Sequence, residues 1–91
     1  MKYGKVDQNQ AIIVKALRQM GCSVQSLADA GKGVPDLLVG YHGSNHLLEV
    51  KDGNKPPSKR KLTDDQVVWH ENWRGSVIVV ENIDEAIMAV T

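Results

Sequence analysis

Asp36, Glu49 and Lys51 are the residues of this 91-residue chain whose types and spacing could do chemistry together. They lie in the stretch Gly33 to Lys51, GVPDLLVGYHGSNHLLEVK, where two short apolar runs flank a polar cluster of His42, Gly43, Ser44 and Asn45. The pattern predicts a β-hairpin. With the four polar residues as its loop, Tyr41 faces His46, Leu38 faces Glu49 and Asp36 faces Lys51. Side chains alternate along a strand, so Glu49 and Lys51 share a face, and Asp36 joins them across from Lys51 and diagonal to Glu49. Two carboxylates packed together repel and raise one another's pKa, a cost that a divalent cation removes. Oxygen-only ligands suit magnesium or manganese, held by one or two carboxylates with water at the other positions, the usual arrangement for chemistry on phosphates. A neighbouring lysine can orient a water or stabilise negative charge developing at phosphorus.

Pro35-Asp36 followed by Glu49-Val50-Lys51 resembles the signature of the PD-(D/E)XK nucleases. Gly33-Val34-Pro35-Asp36, Glu49-Val50-Lys51, the approach Lys61-Leu62-Thr63 to Gln66, and Gly75 ahead of Val77 to Val80 look like the small VRR-NUC branch, the virus-type replication-repair nucleases, over most of the chain. The resemblance implies a restriction-endonuclease-like core. It also implies that Asp36 and Glu49 bind Mg²⁺ or Mn²⁺ with the Val50 carbonyl as a further ligand, that Lys51 is the catalytic lysine, and that Gln66 supports the site from the following helix. The family's first helix usually carries a glutamate, for which Asp7 is the nearest match here. Stand-alone members of this length look like dimeric Holliday-junction resolvases, so the resemblance implies a homodimer that cuts branched DNA. The alternative is a catalytically silent nucleic-acid-binding or protein-interaction module of the same fold. An inactive relative would be expected to have lost one of the three polar residues, and all three are present.

A chain of this length makes one domain, residues 1–91, with a modest core, since only about 60–65% of the unfolded surface is buried at such a size. The start, MKYGKVDQNQ, has no apolar signal core and no run is long enough to span a membrane, so a cytoplasmic location is expected. Cys22 is the only cysteine, which excludes an internal disulfide and a cysteine-rich zinc site; a small buried apolar role suits it. Eleven basic and eleven acidic residues give zero formal charge, so bulk attraction to nucleic acid is not expected. The distribution is uneven: residues 51–61 carry five basic groups and one acidic, while residues 62–91 carry one basic and six acidic. The proline-interrupted stretch Asp52 to Lys61 follows the candidate site directly, which assigns Lys55, Lys59, Arg60 and Lys61, with Lys32, to contacts with a DNA backbone.

The elements that must position these residues follow from periodicity. Asp7 to Met20 reads as a helix, with Ile12, Ala16 and Met20 on one stripe, Ile13 and Leu17 beside it, and Gly21 to end it. Asp7 has capping-box spacing to Gln10, so an N-cap role and a metal-ligand role are both open to it. Cys22 to Leu27 is a weak strand. Gly31 to Gly33 more readily turns the chain into Pro35 than cradles a phosphate. Thr63 has capping-box spacing to Gln66 and starts a second helix reaching about Arg74, leaving Gln66 a cap role as well as a site role. Trp69 and Trp73 share one face of that helix, a pairing that suits core or dimer packing better than base stacking. The β-branched run Ser76 to Val80 reads as a central strand covered on both faces. A capped amphipathic helix follows from Ile83 to Val90. The order is αβββαβα, an α/β fold with a mixed four-stranded sheet flanked by helices and the hairpin near one edge.

Overall fold

Residues 7–91 are described by a computed structural model, and they form the expected order. It runs α1 (Gln8–Gln19), β1 (Ser23–Ser26), β2 (Leu37–Tyr41), β3 (Ser44–Val50), α2 (Asp64–Asn72), β4 (Ile78–Val80) and α3 (Ile83–Val90), with one short 3₁₀ turn at Pro57–Lys59. The four strands make one mixed sheet in the order β1-β2-β3-β4, antiparallel until the parallel β3–β4 pair. A parallel pair needs a crossover connection, and here it carries the 3₁₀ turn and α2. No helix among the described residues is long and apolar enough to cross a membrane.

Two placements differ from the sequence reading. The hairpin is central, because β1 pairs with the outer side of β2 and β4 with the outer side of β3. The strand read as central is a three-residue edge, with Ile78 39% and Val79 37% exposed. Aliphatic composition reports β propensity and cannot distinguish burial by a neighbouring strand from its absence. The hairpin register also shifts by two. Only His42 and Gly43 form the turn, at φ 48° and 80°, and Tyr41 pairs with Ser44. Two successive positive-φ residues make a type I′ turn, whose twist matches the flanking strands, so Ser44 and Asn45 join β3. A shift of two preserves side-chain parity. The chemistry-bearing face therefore survives, but one step beyond the Leu37–Leu48 pair Asp36 now faces Glu49 instead of Lys51.

Alternation along the strands sorts the two faces of the sheet. Leu37, Val39, Leu48, Val50 and Val80 turn towards α1 and α3, where Ile13, Leu17, Ala86 and Val90 close the core with Cys22. The buried stripe of α1 runs through Ile13 and Leu17, while Ile12 is 46% exposed, so the stripe sits one residue further along than its apolar spacing suggested. Ile87 packs against this core as well. The opposite face carries Asp36, Leu38, Leu47 and Glu49; Gln66 in the first turn of α2 meets Glu49, and Trp73 just past its end lines a cavity with Leu38 and Leu47. None of α2's nine residues is buried, and its first turn is tied to β3 through Gln66, which contacts Glu49 and Lys51.

Candidate active site

The site is built at the end of β3, where it leaves the sheet. Pro35, fully buried, precedes Asp36. The Asp36 carbonyl accepts from Leu27 N–H at 2.9 Å, and its Oδ2 accepts from Val50 N–H at 2.7 Å, so backbone groups of β3 and the residue after β1 hold it in place. Glu49 is 1% exposed, the buried polar or charged residue of the described core. Its Oε2 accepts from Gln66 Nε2 at 3.0 Å and lies 3.7 Å from Lys51 Nζ. Lys51 Nζ in turn donates to Gln66 Oε1 at 2.8 Å.

Gln66 answers both roles left open for it. Its Oε1 also accepts from Thr63 N–H at 2.9 Å while Gln66 N–H donates to Thr63 Oγ1 at 3.3 Å, a complete capping box. One amide side chain thus starts α2 and binds both Glu49 and Lys51. Close approach of α2 to the loop before Asp36 depends on Gly33. At φ 78°, a Cβ there would come within 2.3 Å of the Asp65 carbonyl oxygen, and no side chain fits in that gap.

Two residues important to this geometry were not singled out from the sequence. Asn9 Nδ2 donates to the Lys51 carbonyl at 2.8 Å and to the Glu81 carbonyl at 3.2 Å, tying the start of α1 to the diverging ends of β3 and β4. With Lys51 N–H donating to Val80 O at 2.9 Å, the lysine backbone is fixed from both sides. No local pattern marks Asn9, because its partners are 42 and 72 residues away. Glu81 is the second: it pairs with Arg60 at 3.1 Å, so that arginine is engaged within the fold, whereas Lys55, Lys59 and Lys61 are exposed. Lys32 lies beside α2, in a groove with Asp65, Trp69 and Trp73. Asp7 caps α1, its Oδ1 accepting from Asn9 N–H at 3.1 Å.

Burial pushes Glu49 up to about 8, reinforced by hydrogen bonding to Asp36 and by the Asp36 charge, and only partly opposed by Lys51. The geometry explains why. Among the described residues Glu49 Oε1 is buried with no hydrogen-bond partner, and two ionised carboxylates offer each other no donor. A proton on Glu49 converts the repulsion into a hydrogen bond to Asp36. A hard cation would satisfy the same oxygen, and the donor set of two carboxylates fits one. Among the described residues no group of three or more His, Cys, Asp or Glu is gathered for a metal, so Asp7 does not join Asp36 and Glu49 in such a group. Two carboxylates with further positions left to water or phosphate is a magnesium-like requirement.

The tryptophans lie outside the buried core. Trp69 and Trp73 stack at 4.7 Å between ring centroids and 18° between planes, and Trp73 is 45% exposed. Comparison of the chain with protein-family models, with curated proteins and with solved structures found no match.

Proposed function

We propose that this protein is a metal-dependent endonuclease that hydrolyses phosphodiester bonds in DNA, acting on branched substrates as a homodimer. The observation that carries the reading is the Asp36–Glu49 pair beside Lys51, with Glu49 Oε1 buried and unpartnered among the described residues. Such a pair is costly for a fold to keep unless a cation uses it. Asp36 and Glu49 would hold Mg²⁺ or Mn²⁺, with the Val50 carbonyl as the further ligand that the VRR-NUC resemblance implies. When bound, the ion supplies a Lewis acid that acidifies water and neutralises phosphate charge. Lys51 Nζ lies beside these carboxylates, where it would donate to the attacking water or to a phosphate oxygen. Gln66 holds that ammonium in position through Oε1.

A dimer needs apolar surface that the chain's own core leaves uncovered. Ile87 and Val90, the apolar side of α3, pack into or against the chain's own core. The edge strand β4 offers such a surface: its Ile78 and Val79 are exposed and, among the described residues, its outer side pairs with no strand. An apolar, unpaired edge is a template for pairing with a second copy, and a two-fold dimer brings two sites to the two strands that junction resolution must cut.

The test is incubation of purified protein with linear, flapped and four-way junction DNA, in Mg²⁺ or Mn²⁺ against EDTA. Cleavage should require metal, favour the junction, and disappear in Lys51→Ala while DNA binding persists. Binding without cleavage by the wild-type chain in either metal would replace this reading with a silent binding module.

A further inference from the structure

We propose that the groove between Lys32 and the stacked Trp69–Trp73 pair receives an unpaired nucleobase of the DNA strand whose phosphate lies at Asp36 and Glu49. This rests on the nuclease reading and names the feature of the substrate that the site selects. The groove is about 220 Å³ and is lined by Lys32, Asp65, Val68, Trp69, Asn72 and Trp73. Sites that enclose a drug-sized ligand run to about 300–1,000 Å³, so this one is scaled to a single ring system.

Its chemistry suits a base better than an apolar side chain. The two indoles stack face to face, so each covers one face of the other and the 45% exposed Trp73 is the ring on which a further base can stack; base–aromatic stacking tolerates any base because every base has a π face. Around that surface stand the Lys32 ammonium, the Asp65 carboxylate and the Asn72 amide. Donors and acceptors of this kind can meet the edge of a base or a flanking phosphate, and a hydrocarbon partner would leave them without partners. An indole pair kept for the chain's own core would be covered, yet α2 has no buried residue and Trp73 is half open to solvent.

The groove also lies at a useful place. Asp65 lines it and adjoins Gly33 through its backbone, and Gln66, the next residue, touches Glu49 and Lys51. Trp69 and Trp73 follow Gln66 by three and seven residues, about 4.5 and 10 Å along a helix at 1.5 Å per residue. At about 3.4 Å per nucleotide in a stacked strand, a base in the groove is one to three nucleotides from the phosphate at the carboxylates. In intact duplex the bases are paired and stacked inside, so only a strand with an unpaired nucleotide near the cut can fill the groove. That gives a physical reason for preferring DNA with an unpaired nucleotide at the branch, as in a flap or an opened junction centre.

The chain holds only these two tryptophans, so its intrinsic indole fluorescence reports on the surroundings of this pair. The experiment is a titration in EDTA, where no cleavage occurs, with a short oligothymidylate, the same strand made abasic, and a duplex of equal length. The oligothymidylate should quench the fluorescence, and the abasic strand and the duplex should not. Trp73→Ala should weaken oligothymidylate binding by about fivefold or more, the lower range for loss of one base–aromatic stack, while Trp73→Phe retains it. Both variants should keep the circular dichroism of the parent, since the residue lies outside the core. Glu49→Gln should leave the quenching unchanged, so a failed metal site and a failed groove give different results. Equal quenching by the abasic strand, or no quenching by either, overturns the proposal. A fluorescence change that follows protein dilution but not oligonucleotide also overturns it, and assigns the tryptophan face to a second copy of the chain.

Discussion

Replacing Glu49 with glutamine should stabilise the protein in the absence of metal, by an amount that grows with pH. The folded chain holds the Glu49 proton up to about pH 8, against an ordinary value of 4.5. Between those values the folded state binds more protons than the unfolded one, so Glu49's contribution to stability is fully present below about 4.5 and is lost as pH rises towards 8. At ~1.36 kcal/mol per unit, the loss reaches an upper bound of ~3 kcal/mol at pH 7. Glu49→Gln avoids this loss: its amide reproduces the donor that protonated Glu49 offers Asp36, and its carbonyl can still accept from Gln66 Nε2. For a domain of this size each kcal/mol moves Tm by about 4–8 °C. The variant should therefore melt above wild type at pH 7 in EDTA, by up to ~12–24 °C, and close to it at pH 4. Mg²⁺ or Mn²⁺ should raise the wild-type Tm at pH 7 and leave the variant unmoved, because the cation stabilises the ionised pair only where the pair exists. Differential scanning fluorimetry across pH, with and without metal, reads all four cases. Parallel pH profiles for wild type and variant would refute the reasoning, as would an equal metal response.

Further outcomes follow from the same contacts. Neutralising Lys55, Lys59 and Lys61 together should weaken DNA binding and reduce the slope of log K against log salt by up to ~2.7, at ~0.9 per lost phosphate contact; Arg60→Gln should instead cost fold stability, since Arg60 is paired with Glu81. Gly33→Ala should destabilise the chain by ~1–3 kcal/mol in chemical denaturation, and should abolish cleavage by displacing α2 and withdrawing Gln66 from Lys51. Asn9→Ala should cost ~1–3 kcal/mol in the same assay, because it strips a shared donor from two backbone carbonyls. Val79→Lys on the exposed β4 edge should give a monomer in sedimentation at a concentration where wild type sediments as a dimer.

The sequence by itself determined whatever depends on near neighbours. The element order, the caps at Asp7 and Thr63, and the alternation that puts Asp36, Glu49 and Lys51 on one face all follow from short-range spacing and appear as expected. The dual role of Gln66 was legible as two competing readings, and the structure unites them because a side-chain amide has an acceptor and two donor hydrogens to share. Tertiary structure decided the rest. Turn length was ambiguous because His42-Gly43 and the longer cluster both have turn composition, and only the positive φ at both residues selects the tighter loop. Strand order could not be read from β4, since an aliphatic run looks the same at the centre of a sheet and at its edge. The groove at Trp69 and Trp73 and the Asn9 clamp on Lys51 depend on how helices seat against strand ends far away in the chain. Periodicity fixes which face a residue takes within its own element, but the partner that meets that face is chosen by packing among segments that share no local sequence signal.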